Sequence, residues 1–220
     1  MRALTCPTAR LGAAVTVMFA CCGAAATVQA QAPAASSASP AALVAEVRKS
    51  FTVNGKPIPP EIFRDFGDGD LADSNTSIWI TVDVLAATGS NRYYDDIKAD
   101  HGSYSQKAAT CPQPSCEETG YLYIGSTDNG LLVVVASYSG GGSGDFETLH
   151  ILDLAAARGF DNDGKPYARI DLTDIRNVAL GDRWSGQVSI AKNTIHIATE
   201  RNGPGARTDG PPATIEATRP

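Results

Sequence analysis

The sequence predicts a mostly β protein, an antiparallel sandwich or partly closed barrel with one short N-terminal helix. From Phe51 onward, apolar side chains recur at every second position, which is the period of a half-buried strand. The turn sequences Asn129-Gly130 and Lys192-Asn193 each separate two such segments, as in β-hairpins. The loops are spaced like the connections of antiparallel sheets, at 140–144, 161–165 and 203–210.

Residues 1–30 have the pattern of a secretory signal peptide. A basic start precedes the uncharged stretch Leu11 to Val28, and small residues occupy the positions that a signal peptidase reads before a cut after Ala30. An uncleaved membrane anchor is disfavoured because the stretch is rich in Ala and Gly rather than Leu. Lipidation at Cys21 or Cys22 is disfavoured by the bulky Phe19. We expect a periplasmic or secreted protein with no membrane span after signal removal.

Signal removal makes the chain more acidic. The sequence holds 18 Lys and Arg against 24 Asp and Glu residues, and Arg2 and Arg10 lie in the signal. The mature chain would carry 16 basic and 24 acidic residues, a net charge of −8. Such a surface repels nucleic acid, and no Lys/Arg cluster offers a basic face. We expect no nucleic-acid partner, but an unknown protein or small-molecule ligand of the envelope.

Residues 31–42 are expected to form a flexible linker, because they contain no charge and no large apolar side chain. Ser39 followed by Pro40 is typical of a helix N-cap and first helical position, and Leu43 to Val47 supply apolar residues at helical spacing. We therefore expect one short helix at the start of a single β-rich domain over 43–220.

Alternation predicts the first strands. Residues 78–84 alternate Ile and Val with Trp79, Thr81 and Asp83. Tyr121–Ser126 and Leu131–Ser137 flank the first turn, and every residue of Leu131–Ala136 is apolar, as expected of a central strand covered on both faces. In that hairpin, one face is expected to carry Leu122, Ile124, Val133 and Val135.

The second turn predicts a specific register. Ile190 should lie opposite Ile195 and Val188 opposite Ile197, with His196 on the solvent face. Further strands are expected at Leu149–Leu154, Ala168–Thr173 and Thr214–Ala217.

The mature chain keeps two cysteines, Cys111 and Cys116. An even pair in an oxidising compartment predicts a disulfide, and four intervening residues do not fit a redox pair. No further Cys or His lies close enough in sequence to suggest a zinc site.

The segment from Asp65 to Asp73 contains four carboxylates in nine residues. Carboxylate oxygens suit a hard cation, so the candidate metal ligands are Asp65, Asp68, Asp70 and Asp73, and calcium is the one cofactor that the sequence suggests. The spacing does not match an EF-hand, and a solvated turn in which Asp side chains bond backbone amides is the favoured alternative.

Tyr121, Tyr123 and Tyr138 are the candidate ligand-binding residues, because tyrosine joins apolar area to a polar tip. Tyr121 and Tyr123 share one face of their strand. They form either an exposed aromatic platform or a second core layer, which is the commoner outcome in a two-layer β fold.

The sequence lacks a complete catalytic motif. The segment 139–145 lacks the last glycine of a nucleophile elbow, and 125–132 lacks the Lys and Ser or Thr of a phosphate loop. His101, His150 and His196 each stand alone, without the spacing of a metal site.

Leu180-Gly181-Asp182-Arg183, the hairpin around Lys192-Asn193, and Arg-Asn-Gly-Pro-Gly at 201–205 resemble small exported bacterial β domains of unassigned activity. The resemblance covers the C-terminal part of the chain. It implies an envelope location and no particular chemistry.

The missing motifs and long loops favour a non-catalytic envelope domain that binds a partner through its tyrosine-bearing face or its loops. One alternative is a hydrolase that uses two carboxylates from different segments, with candidates among Asp65, Asp68, Asp70 and Asp73 and with His150 as a further candidate. The other is a calcium-binding β domain. Whether the chain is an enzyme stays open, and a binding role is favoured.

Overall fold

The computed structural model describes residues 38–66, 79–89, 94–111, 116–198 and 214–219, apart from the side chain of Asp65. The predicted signal, 1–30, lies outside them. The helices of the described part are α1 (Pro40–Ser50), α2 (Ile62–Asp65) and α3 (Val84–Gly89). Its strands are β1 (Thr52–Val53), β2 (Lys56–Pro57), β3 (Ile80–Asp83), β4 (Lys98–Asp100), β5 (Ser103–Lys107), β6 (Glu118–Ser126), β7 (Leu132–Ser139), β8 (Phe146–Phe160), β9 (Pro166–Asp182), β10 (Gln187–Ala191), β11 (Thr194–Ala198) and β12 (Thr214–Glu216).

Helix α1 begins as the sequence predicts. The Ser39 hydroxyl accepts a hydrogen bond from the Ala42 amide at 3.3 Å, and Pro40 occupies the first helical position. The helix ends at Phe51, whose backbone is left-handed and whose amide donates to the Val47 carbonyl at 2.8 Å. The last three residues of the predicted linker, 40–42, are therefore helical.

Seven antiparallel strands form the large sheet, in the order β3-β9-β8-β7-β6-β5-β4. The strands β10, β11 and β12 form a second antiparallel sheet, called here the small sheet. The predicted mostly β, antiparallel class is confirmed. The large sheet is open rather than closed into a barrel, which is consistent with a sandwich.

Strand β7 is covered on both faces, as predicted. Leu132, Val134 and Ala136 contribute to a core shared with α1, α2 and the β1–β2 hairpin, and we call this side of the large sheet the helical face. Val133 and Val135 point the other way, into a core closed by Ile195, Ile197 and Ile215 of the small sheet. The alternation of one strand thus divides the interior into two cores.

Both predicted hairpins are present. Strand β6 pairs with β7 so that Leu122 lies opposite Val135, and a bulge between Tyr123 and Gly125 precedes the turn. Ile124, beside this bulge, packs with Val133 and Val135 in the same core.

The predicted register of the β10–β11 hairpin is confirmed, with Ile190 opposite Ile195 and Val188 opposite Ile197. His196 is exposed on the other face of β11, also as expected.

The structure corrects the prediction for residues 78–84. Strand β3 ends at Asp83, and Val84 begins α3 instead of continuing the alternation. The cause is local, because the Asp83 carboxylate accepts a hydrogen bond from the Leu85 amide at 3.1 Å and so caps the new helix. Ile78 lies outside the described residues. Helices α2 and α3 are additions to the single helix that the sequence predicted.

Strands β8 and β9 extend beyond the rest of the large sheet. Strand β7 pairs with β8 as far as Leu152, and β3 pairs with β9 only over Asp171–Asp174. Among the described residues, Ala156–Phe160 and Pro166–Ile170 therefore pair only with each other. They form a two-stranded ribbon that exposes Phe160 and Tyr167.

The predicted disulfide joins Cys111 and Cys116, whose Cα atoms are 5.3 Å apart.

Among the described residues, no helix combines the length and the apolar character needed to cross a membrane.

Ile195 tests the small-sheet core. It is fully buried, so Ile195→Ala should lower the free energy of unfolding by about 2–5 kcal/mol, through lost apolar burial and a cavity. Urea titration at an unchanged m-value measures the loss. His196→Ala, on the exposed face of the same strand, should change stability by no more than about 0.5 kcal/mol. Equal effects of the two substitutions would contradict the assigned facing of β11.

Two glutamates have pKa values shifted in opposite directions. Burial raises the pKa of Glu147 on β8 to about 7, although the Trp184 amide donates to its carboxylate at 2.9 Å. The charges of Asp145 and Asp182 raise it further. The Gly55 amide, 2.7 Å from the Glu46 carboxylate, lowers the pKa of Glu46 below its ordinary value of 4.5.

These shifts predict opposite pH responses. The folded chain holds the Glu147 proton up to about pH 7 and the unfolded chain only to about 4.5, so this group's contribution to stability falls as pH rises between those values. Glu147→Gln should therefore raise the melting temperature more at pH 8 than at pH 4.5. Glu46→Gln should lower the melting temperature at pH 7, because a carboxylate with a lowered pKa stabilises the folded chain while it is ionised. The effect of this substitution should become smaller as the pH falls below 4.5 and the carboxylate takes up a proton. The same pH trend in both variants would refute this assignment.

Candidate functional site

A cleft of about 290 Å³ opens on the helical face of the large sheet. Strands β6, β7 and β8 supply one wall and α2 supplies another. Its lining combines aromatic rings with polar groups: Phe63, Arg64, Thr119, Ala136, Ser137, Tyr138, Phe146, Thr148 and His150. A cleft in which a few polar groups converge among aromatic side chains is typical of small-molecule sites.

His150 and Asp174 form a buried pair in the wall of this cleft. The Nδ1 atom of His150 is 3.0 Å from Oδ2 of Asp174, and the two side chains are 3% and 4% exposed. The Asn177 amide donates to the same carboxylate oxygen at 3.1 Å. An ionised carboxylate only accepts hydrogen bonds, so Nδ1 of His150 carries the hydrogen and Nε2 is left for the cleft.

An irregularity in β9 brings these polar groups together. His150 pairs with Asn177, but Leu152 pairs with Asp174, so one extra residue of β9 is accommodated between them. Residues three apart in a regular strand point to opposite faces. The bulge changes this alternation and places both Asp174 and Asn177 beside His150.

Aromatic rings fix the position of the imidazole. The ring of His150 lies 5.2 Å from that of Phe63 and 5.9 Å from that of Phe66, measured between centroids. The buried, bonded imidazole has little room to change rotamer, so the geometry of the cleft wall is preorganised.

A second polar cluster lies beside the cleft. Nη1 of Arg64 is 2.8 Å from Oε1 of Glu117 and donates to the Tyr94 hydroxyl at 3.0 Å. The Tyr94 hydroxyl in turn donates to Glu117. Burial raises the pKa of Tyr94 to about 12, so this hydroxyl stays protonated and continues to donate near neutral pH.

The structure separates the three tyrosines predicted to bind a ligand. Tyr121 is 2% exposed and Tyr123 is partly buried, and their rings lie 5.1 and 5.2 Å from that of Phe51. They form the second core layer, the alternative favoured for this face, rather than an exposed platform. Tyr138 is partly exposed and lines the cleft, so of the three it is the one that contributes to this site.

The predicted calcium ligands lie outside what the structure describes. Asp65 ends α2, but its side chain and all of Asp68, Asp70 and Asp73 fall outside the described residues. Within the described part, no three His, Cys, Asp or Glu side chains are grouped so that they could hold a metal ion. Calcium binding by the aspartate segment stays a prediction.

Sequence reasoning considered His150 but missed its partners. Asp174, Asn177, Arg64 and Glu117 come from three separate segments with no shared motif. One signal was available, because His150 interrupts the apolar run Leu149–Leu152, and a histidine in a strand buried on both faces requires a polar partner.

Asp174→Ala tests the pair. It leaves the buried Nδ1 hydrogen of His150 and the Asn177 amide without their acceptor, which should lower the free energy of unfolding by about 1–3 kcal/mol. Nitrogen NMR shifts of the His150 ring should show loss of the Nδ1-protonated tautomer. The matched control is Asp171→Ala, which removes a more exposed ion pair with Arg169 and should cost no more than about 1 kcal/mol. An unchanged tautomer in Asp174→Ala would contradict the assignment.

Comparison of the chain with protein-family models, with curated proteins and with solved structures gives no match.

Proposed function

We propose that this chain is an exported, non-catalytic binding domain of the cell envelope that takes a small molecule into the cleft on its helical face. The observation that carries the proposal is the convergence of His150, Arg64, Thr148 and Tyr138 on one cleft among aromatic side chains. The export part of the proposal rests on the pattern of residues 1–30 and on the cysteine pair.

The position of the cleft supports a binding role. Its strand residues belong to β6, β7 and β8, and around the cleft β7 pairs with β6 on one side and with β8 on the other, so the wall is rigid. Phe146 is 54% exposed at the cleft, and an exposed apolar side chain next to polar groups is typical of a contact surface.

One observation favours the hydrolase alternative. His150 held by Asp174 is the arrangement of a general base and the group that orients it. This alternative also needs two acids from different segments, and its candidates Asp68, Asp70 and Asp73 and the side chain of Asp65 lie outside the described residues. Hydrolysis of p-nitrophenyl acetate that is lost in His150→Gln and retained in His196→Gln would favour catalysis over binding.

The binding proposal is tested with the full chain and a mixed library of neutral, anionic and cationic fragments, screened by ligand-observed NMR. Tyr138→Ala removes a ring that lines the cleft and should weaken binding of the hits at least about tenfold. Tyr167→Ala removes a partly exposed tyrosine of the distant ribbon and should leave affinity unchanged.

Two results would refute the proposal. Hits that bind equally well to Tyr138→Ala and to the unaltered chain would show that they bind elsewhere. A library without any hit would show that the cleft does not serve a small molecule.

A further inference from the structure

The charged groups in and beside the cleft are each held by another group of the protein. Arg64 lies 2.8 Å from Glu117, and His150 lies 3.0 Å from Asp174. A charged ligand gains most where it meets an uncompensated opposite charge, and it loses its own hydration on entering. Glu117 compensates Arg64, and the Asp174 carboxylate is 4% exposed and is not among the residues that line the cleft, so a ligand meets no uncompensated charge there.

Hydrogen-bonding capacity remains after these pairs are formed. Within the described residues, the Thr148 and Tyr138 hydroxyls and Nε2 of His150 make no hydrogen bond to protein. Arg64 uses Nη1 for its two contacts and keeps its remaining N–H groups. The set therefore contains donors, acceptors and groups that can act as either, which suits ligand hydroxyls.

The aromatic lining supplies the complementary apolar surface. Phe63, Tyr138 and Phe146 line the same cleft as these polar atoms. A sugar ring has the matching character, because its C–H groups form apolar faces and its hydroxyls project around the edge. Aromatic rings present large flat apolar areas to such faces, and the volume of about 290 Å³ lies at the small end of ligand sites.

We propose that the cleft binds an uncharged, hydroxyl-rich ring of monosaccharide size, with Nε2 of His150 accepting a hydrogen bond from a ligand hydroxyl. This proposal rests on the binding role proposed above and names its ligand class. Asp174 has a defined part in it, because by accepting the Nδ1 hydrogen it selects the tautomer of the neutral ring in which Nε2 is the acceptor.

The test uses the ¹⁵N-labelled full chain titrated with glucose and N-acetylglucosamine, and with glucuronate and glucosamine as their charged counterparts. At least one neutral sugar should shift the amide signals of Thr148 and His150, and its charged counterpart should bind at least about tenfold more weakly.

Substitutions connect the shifts to the cleft. Thr148→Val removes a hydroxyl while preserving side-chain volume, and it should weaken sugar binding severalfold. His150→Gln should weaken it further. His150→Gln disturbs a buried pair and could unfold the chain. In that case Thr148→Val alone decides the test. Thr194→Val, on the small sheet, serves as the matched control and should bind like the unaltered chain.

Each contrary outcome is distinguishable. If glucuronate or glucosamine binds as tightly as its neutral parent, or if Thr148→Val has no effect, the proposed ligand class is wrong. If library fragments bind at the cleft and no neutral sugar does, the ligand class is wrong but the binding role stands. If neither sugars nor fragments bind, both proposals fail.

Discussion

The fold depends on the burial of strand β7 on both faces. Leu131 to Ala136 are all apolar and all buried, so the sheet that contains them must be covered on each side. Helix α1 and the aromatic cluster around Phe51 cover one side, and the small sheet covers the other. An isolated eleven-residue helix is marginal in water, and a three-stranded sheet of short strands needs its apolar face covered. Both are therefore stabilised mainly by the surface that β7 and its neighbours present.

The candidate site places polar side chains on the helical face of the same large sheet. His150, Asp174 and Asn177 are polar side chains on the helical face of the large sheet, and His150 and Asn177 both hydrogen-bond to Asp174. The bulge in β9 makes this possible by changing the alternation of side chains at one point. The cleft lies beside α2, which is one helical turn long, whereas the longer α1 packs over β6, β8 and β9.

Alternation in the sequence predicted the hairpins and even the β10–β11 register, because a period of two fixes which residues share a face. It also placed Tyr121 and Tyr123 on one face, but their burial depends on Phe51 and α1, which a single strand cannot reveal. Helix α3 was missed because the cap supplied by Asp83 overrides a strand-like pattern. The site was missed for a related reason, since Asp174 and Asn177, three residues apart, share a face only because of the bulge.

Because the ends of β8 and β9 form a ribbon, the number of strands that pair with each of them changes along its length. Near Leu149, the backbone of β8 bonds to neighbours on both sides, and opening it would disrupt both cores. Near Ala157, the same strand has one partner and an open edge among the described residues. Amide protons should therefore exchange with solvent slowly at the first position, limited by global unfolding, and rapidly at the second through local fraying. Two residues of one continuous strand thus belong to different cooperative units.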